Sequence, residues 1–127
     1  TTATYRGEIN NRLAELETNF NGQRLMPILN QVHFSAKEGS PEFVEQYGQL
    51  GKIIAERLKA VREADREFTL RASDITFSDD RAFFTLTVTF KREDREAPTA
   101  EDQLTLKRSM IRKEGEWFFT PQFFTEI

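Results

Sequence analysis

Four side chains have the types and positions from which acid–base or ligand chemistry could start: His33, Tyr47, Asp74 and Arg108. His33 is the only histidine of the chain, and a lone imidazole can act as a general base or as a ligand. It also falls at the predicted end of a short helix, where it would be a partly exposed residue without a role. No cluster of His, Cys or carboxylate residues accompanies it, so the sequence predicts neither a metal site nor a cofactor.

Tyr47 and Asp74 each have a functional and a structural interpretation. Tyr47 falls on the apolar stripe of a predicted long helix, so its hydroxyl either donates a hydrogen bond into a pocket or packs with its ring in the core. Asp74 interrupts a predicted strand, and an aspartate at such a position usually forms a turn. An enzymatic function would depend on these two residues and on His33.

Arg108 is the exception on an otherwise apolar strand face. Strict alternation from Leu104 and Leu106 directs it inward, ahead of Met110. A buried guanidinium without a partner is costly. Arg108 therefore contacts an acidic side chain, faces a wet pocket that holds an anion, or leaves through the end of the strand. We expect His33, Tyr47 and Arg108 to line the candidate ligand pocket.

Composition excludes several classes of function. The net charge of -3 and the pI near 5.3 argue against a nucleic-acid partner and against a polybasic membrane patch. The chain has no cysteine, which excludes disulfides, thiol nucleophiles and iron–sulfur clusters. No apolar run approaches the roughly 20 residues of a membrane span. Glycine-rich phosphate loops and nucleophile elbows are also missing from the sequence.

The 127 residues have the length of one domain, which we expect to span 1–127 with a flexible tether over 1–4. The opening Thr1-Thr2-Ala3-Thr4 is consistent with release from a signal or anchor, and equally with a position inside a longer chain. Cytoplasmic and exported (periplasmic) locations therefore both stay open.

The first half of the sequence predicts three helices. The first runs from Tyr5 to Phe20 and ends at Asn21-Gly22, where we expect Gly22 to take a positive φ. A short second helix starts near Leu25, and the third starts at Ser40 as N-cap with Pro41 at N1. Gly48 and Gly51 in the third helix indicate a close approach by another element or a bend. The apolar stripes consist of Ile9, Leu13, Leu16 and Phe20; then Leu25, Met26, Leu29 and Val32; then Phe43, Tyr47, Leu50, Ile54, Leu58 and Val61.

From Glu67 the apolar period changes to two, which predicts a sheet of four antiparallel strands. We expect a bulge at Ser73-Asp74, a turn at Ser78-Asp79-Asp80, a charged loop from Arg92 to Ala100 and a hairpin turn at Glu114-Gly115. The last strand should run through Trp117 as far as Phe124. The inward face holds Ala82, Phe84, Leu86, Val88, Phe90, Leu104, Leu106 and Met110. One apolar sheet face needs a cover, and the three helices supply it.

The opposite sheet face is β-branched and aromatic, and it is predicted to hold Phe83, Thr85, Thr87, Thr89, Ser109, Ile111 and Phe118. A face of that kind commonly buries against a second copy, so we expect a homodimer through it. The alternative is a monomer with exposed threonine-rich strands, which are well tolerated.

The element order, the segment "LRASDITFSDDRAFFTLTVTF" and the closing "SMIRKEGEWFF" resemble the nuclear-transport-factor-two-like (NTF2-like) superfamily. Lys113, Glu114, Gly115, Glu116 and Trp117 match its pattern of a charged turn followed by a tryptophan. The resemblance implies a cystatin-like α+β cone, with three N-terminal helices packed on a curved sheet. It also implies that acid–base residues of enzymes lie inside the cone, that His33 lies near the mouth of the cavity, and that pairing occurs through the sheet. The superfamily's strand pair between the second and third helices is poorly represented here.

The inward strand positions carry no Asp or Glu, so the leading hypothesis is a non-catalytic module that binds a small molecule or another protein. Such a module would be dimeric or accessory to a larger protein. The alternative is an isomerase, cyclase or dehydratase that uses His33, Tyr47 and Asp74. A third hypothesis is a carrier for a small acidic ligand that pairs with Arg108.

Overall fold

A computed structural model describes residues 1–64, 66–92 and 102–127, with Arg92 described by its backbone alone. The helices α1 (Thr2–Asn21), α2 (Leu25–Asn30) and α3 (Pro41–Ala64) precede the strands β1 (Arg66–Ser78), β2 (Arg81–Arg92), β3 (Gln103–Lys113) and β4 (Glu116–Phe118). A 3₁₀ turn over Pro121–Phe124, here called the C-terminal turn, follows. The strands form one antiparallel sheet in the order β1-β2-β3-β4, which confirms the predicted α+β class. The charged loop predicted after Arg92 lies outside the described residues.

The four residues of the predicted α1 stripe are all buried. The helix begins earlier than expected because the Thr1 hydroxyl caps it, accepting a hydrogen bond from the Thr4 amide. Residues 2–4 are therefore its first turn, where a tether was expected. The prediction of a positive φ at Gly22 is wrong: Gly22 has φ -83°, and Gln23 takes the left-handed conformation with φ 59°.

Helix α2 buries Ile28 and Leu29, whereas Met26 is 55% exposed. The assignment of Met26 to the stripe is thus wrong, because successive helical residues point about 100° apart and Met26 follows Leu25 directly. Its place in the core is taken by Ile28.

Helix α3 has the predicted cap, since the Phe43 amide donates to Ser40 Oγ at 3.1 Å. Leu50, Ile54, Leu58 and Val61 are buried, while Phe43 and Tyr47 at the start of the stripe are half-buried. A Cβ added to Gly48 would meet nothing within 4 Å, and one added to Gly51 would meet Leu29 Cδ1 at 3.7 Å. The expected close approach therefore applies to Gly51 alone, at an ordinary van der Waals distance.

The strand register divides the sheet into two faces. The core face carries the buried Ala82, Phe84, Leu86 and Val88 of β2, and the open face carries Phe83, Thr85, Thr87 and Thr89. The predicted bulge is confirmed between Ser73 and Thr76, with Asp74 at φ 54°. The turn before β4 is confirmed as well, because Glu114 and Gly115 both take positive φ.

The last strand is shorter than predicted. Strand β4 ends at Phe118, and Pro121 begins the C-terminal turn, because proline has no amide to donate to a ladder. Phe119 instead joins the backbone of the α2 end: its amide donates to the Gln31 carbonyl at 2.9 Å, and its carbonyl accepts from the His33 amide at 2.8 Å. In the described part of the chain, a single bridge from Val32 to Phe119 stands where the superfamily has a strand pair.

Side chains of α1 cover the free edge of β1. Asn21 donates to the Phe68 carbonyl at 3.0 Å and accepts from the Phe68 amide at 2.8 Å, and Glu17 accepts from the Leu70 amide at 2.9 Å. An uncovered edge would pair with other chains. None of the helices in the described ranges is both long enough and apolar enough to cross a membrane.

Candidate functional site

Aromatic rings fill the space between the core face and the helices. The ring centroids of Phe119 and Phe123 lie 4.4 Å apart, and those of Phe68 and Phe90 lie 4.8 Å apart. Trp117 is buried and donates its indole N–H to Glu8 Oε2 at 2.9 Å. Within the described ranges, no group of three His, Asp or Glu side chains is arranged to hold a metal ion. The cone interior is therefore a packed core.

Three backbone carbonyls hold the guanidinium of Arg108. Nε donates to the Phe123 carbonyl at 3.0 Å, Nη1 to the Lys107 carbonyl at 2.8 Å, and Nη2 to the Thr125 carbonyl. No carboxylate of the described residues lies within ion-pair distance of it, so the expected acidic partner is not seen there. Carbonyls satisfy the hydrogen bonds of a guanidinium but carry no net charge, so its positive charge has no neutralising partner among them.

A cavity of about 440 Å³ opens beside Arg108 and is here called the Arg108 cavity. Lys107 also lines it and donates from Nζ to Thr85 Oγ1 at 2.7 Å, which leaves two of the three ammonium N–H groups for another acceptor. Phe83 contributes an exposed ring. The full lining consists of Asp74, Thr76, Phe83, Phe84, Thr85, Lys107, Arg108, Ser109, Thr120, Gln122 and Phe123. Two cations beside an apolar ring suit an anion with an apolar body.

Asp74 lies at the rim of the Arg108 cavity. Its side chain is exposed and makes no hydrogen bond or ion pair with the described residues. Its positive φ at the bulge fits the structural interpretation of this residue as a turn former.

His33 and Tyr47 line a different cavity of about 800 Å³ beside the start of α3, here called the Tyr47 cavity. The Tyr47 hydroxyl contacts Met26 Sδ at 3.8 Å, and its ring stacks on Phe43 with centroids 5.8 Å apart. The structure therefore brings His33 and Tyr47 together but leaves Arg108 and Asp74 at another opening. His33 also lines a third cavity of about 650 Å³, here called the α3–β3 cavity.

The predicted dimer face is only partly free. Phe83 is 44% exposed, and Thr85, Thr87 and Thr89 are half-buried. Ile111 is buried within the chain. Phe118 lies against His33, with ring centroids 6.3 Å apart, and beneath the Arg12 guanidinium at 5.8 Å.

Lys107 and Gln122 are among the residues of the Arg108 cavity that were not singled out from the sequence. Lys107 was detectable, because it directly precedes Arg108 and alternation places it on the open face, where its register partner is Thr85. Gln122 was not detectable, because it reaches the cavity through the C-terminal turn, in a segment whose sequence predicts a strand.

Comparisons with known proteins bear on the fold. No protein-family model matches the chain, and no curated protein matches it either. Among solved structures, a candidate NTF2-like transpeptidase from Campylobacter jejuni aligns over 87% of this chain and 96% of its own length, with 12% identity and a TM-score of 0.61.

Two further structures agree with this result. A Nostoc punctiforme protein of unknown function with a cystatin-like fold aligns over 90% of this chain and 84% of its own, at 13% identity and a TM-score of 0.60. A Mycobacterium tuberculosis protein of unknown function aligns over 93% of this chain and 69% of its own, at 12% identity and a TM-score of 0.55. These likenesses confirm the predicted cone fold.

Proposed function

Because the chain has the NTF2-like fold with a packed interior, we propose that it is a non-catalytic binding module. Its site is the Arg108 cavity, and its ligand carries a carboxylate on an apolar body. The observation that carries this proposal is the pair of neighbouring cations, Lys107 and Arg108. Neither meets a carboxylate of the described residues, and both line one cavity.

The hydrogen-bonding capacity of the two cations supports a carboxylate ligand. A guanidinium has five N–H donors, of which carbonyls take three in Arg108. Two donors remain there and two on Lys107, which matches the acceptor capacity of a carboxylate. The ring of Phe83 then offers an apolar surface for the rest of the ligand.

The separation of the acid–base residues supports a non-catalytic role. General acid–base chemistry needs its groups within about 3 Å of the proton that moves. Asp74 lines the Arg108 cavity and Tyr47 lines the Tyr47 cavity, while His33 lines the Tyr47 and α3–β3 cavities but not the Arg108 cavity. Tyr47 contacts a methionine sulfur, and no carboxylate of the described residues bonds to it or to His33. This division argues against the isomerase, cyclase or dehydratase alternative.

Saturation-transfer NMR with phenylacetate tests the proposal. Ten non-hydrogen atoms at roughly 0.3 kcal/mol each give about -3 kcal/mol, which corresponds to a dissociation constant in the millimolar range. We expect a transfer signal for phenylacetate, a much weaker one for the neutral phenylacetamide, and loss of the phenylacetate signal in Lys107→Gln. Lys59→Gln is the matched control, since Lys59 is an exposed lysine of α3 that lines neither cavity. Equal signals for the acid and the amide would refute the proposal.

Self-association through the open face is a second candidate, favoured by the 44% exposure of Phe83. Phe83 also lines the Arg108 cavity, so pairing there and ligand binding would compete. Sedimentation velocity of Phe83→Asp should then show less dimer than the parent, with Val44→Asp, an exposed position of α3, unchanged. A parent protein that stays monomeric at high concentration would remove this candidate.

A further inference from the structure

The Arg108 cavity shares part of its lining with the α3–β3 cavity. Ser109, Thr120 and Gln122 line both, so the two openings adjoin, and together they are here called the sheet groove. Strand β3 runs along it: Lys107 lines the first opening and Lys113 the second. At about 3.3 Å per residue, these two lysines stand roughly 20 Å apart.

The sheet groove is basic although the chain as a whole has a net charge of -3. Arg81, Lys107, Arg108 and Lys113 line it, and Asp74 is the one acidic residue in the described lining. Asp80 approaches Lys113 at 4.0 Å, but both side chains are about half exposed, and an exposed pair of this kind neutralises little.

Apolar surface and one side-chain carboxamide lie between the two cationic ends. Ile53 and Phe83 are each 44% exposed, on opposite sides of Ser109 in the lining. Gln122 lines the junction of the two openings, and its side chain makes no hydrogen bond to the described residues. A free carboxamide both donates and accepts, which suits the backbone of an extended chain.

We propose that the sheet groove binds an extended acidic peptide segment of another protein, of about six residues at about 3.3 Å each. Carboxylates at its two ends meet Lys107–Arg108 and Arg81–Lys113, and apolar side chains lie between them. This inference rests on the proposed function, because one peptide carboxylate occupies the Arg108 cavity. The inference adds the class of partner to that proposal. The two pairs of cations stand roughly 20 Å apart, so only an elongated partner can contact both, whereas a small acid contacts one pair.

Fluorescence anisotropy with a labelled peptide tests this inference. The probe is an acetylated, amidated peptide with two glutamates at each end and alternating leucine and threonine between them; its neutral match replaces every glutamate by glutamine. We expect the acidic peptide to bind at least about tenfold more tightly at low salt than its match. Lys107→Gln and Lys113→Gln should each weaken it by roughly two- to fivefold, as for exposed ion pairs. Lys59→Gln should leave it unchanged.

The two proposals fail in different ways. If phenylacetate still binds but the acidic and neutral peptides bind alike, or Lys113→Gln has no effect on the peptide, the groove inference is overturned and the carboxylate site stands. If neither phenylacetate nor the peptide binds, both are overturned. Equally tight binding of an eight-nucleotide oligothymidylate would also overturn the inference, because it would show a surface for polyanions in general. Support requires that Lys113→Gln weakens the peptide while leaving phenylacetate binding intact.

Discussion

Arg108 has two tasks at the scale of single residues. Its guanidinium fastens the chain end by bonding the carbonyls of Phe123 and Thr125, and its charge faces the Arg108 cavity. Lysine could supply the charge but not the planar set of donors that reaches three carbonyls. The Lys107 side chain bonds only Thr85 among the described residues, so Lys107 is the cleaner probe of ligand binding.

Arg108→Met should therefore destabilise the fold, by about 1–3 kcal/mol for the lost hydrogen bonds of a charged donor. Lys107→Met removes the same charge from the neighbouring position and should change the free energy of unfolding by less than about 0.5 kcal/mol, as is usual for exposed sites. Urea unfolding followed by circular dichroism measures both. Equal losses for the two variants would contradict the structural role of Arg108.

At the scale of elements, the sheet depends on groups that cover its edges and on turns that join its strands. Asn21 forms a reciprocal pair of hydrogen bonds with the backbone of Phe68, in the place where a fifth strand would pair. The bulge at Asp74 bends β1 and interrupts its pairing with β2. Both features leave the open face accessible while limiting association through the β1 edge.

Asn21→Ala should lower the free energy of unfolding by about 1–2 kcal/mol, because it leaves an amide and a carbonyl of β1 without partners. Asn10→Ala on the same helix is the matched control, since Asn10 is exposed and its side chain makes no hydrogen bond to any residue that the structure describes. It should be neutral or slightly stabilising through helix propensity. Amide hydrogen exchange at Phe68 should accelerate in Asn21→Ala alone; unchanged exchange there would argue that the pair contributes nothing.

Two glycine substitutions should have opposite signs. Gly115→Ala should destabilise by about 1–2 kcal/mol, since its φ of 83° is unfavourable for a residue with a Cβ. Gly48→Ala should stabilise by about 0.5–1 kcal/mol, because the added methyl meets nothing within 4 Å and alanine favours the helix. Thermal unfolding measures whether each variant is more or less stable than the parent protein. A destabilising Gly48→Ala would indicate a close contact of α3 that the structure does not show.

At the scale of the whole molecule, sequence periodicity predicted which side chains are buried. It did not predict which polar residues the fold brings together at each cavity. The stripes of α1 and α3 and the core face of β2 were predictable because one side of each element must leave water. The hydrogen bonds from Arg108 to the Phe123 and Thr125 carbonyls were not predictable, because they depend on a turn at Pro121 that brings the chain end back to β3. The same holds for the separation of Tyr47 from Arg108, since each cavity assembles residues that are remote in the sequence.

The charge distribution follows from the same arrangement. Lys107 and Lys113 of β3 and Arg81 at the start of β2 fall on the open face, whereas Arg108 pairs with Phe84 of the core face and reaches the Arg108 cavity from that side. An overall acidic chain thus presents a basic groove, which favours acidic partners and disfavours a second copy that presents the same charge.

The most direct test of a ligand site at the Arg108 cavity is a two-dimensional ¹H–¹⁵N NMR titration of the labelled protein with phenylacetate. We predict saturable shifts of the Arg108 Nε–H and of the Ser109 and Thr85 amides, which line the Arg108 cavity. The Trp117 indole N–H, bonded to Glu8 inside the cone, should not move. Shifts of the Trp117 indole with Ser109 and Arg108 unaffected would place the ligand in the cone interior and contradict the account.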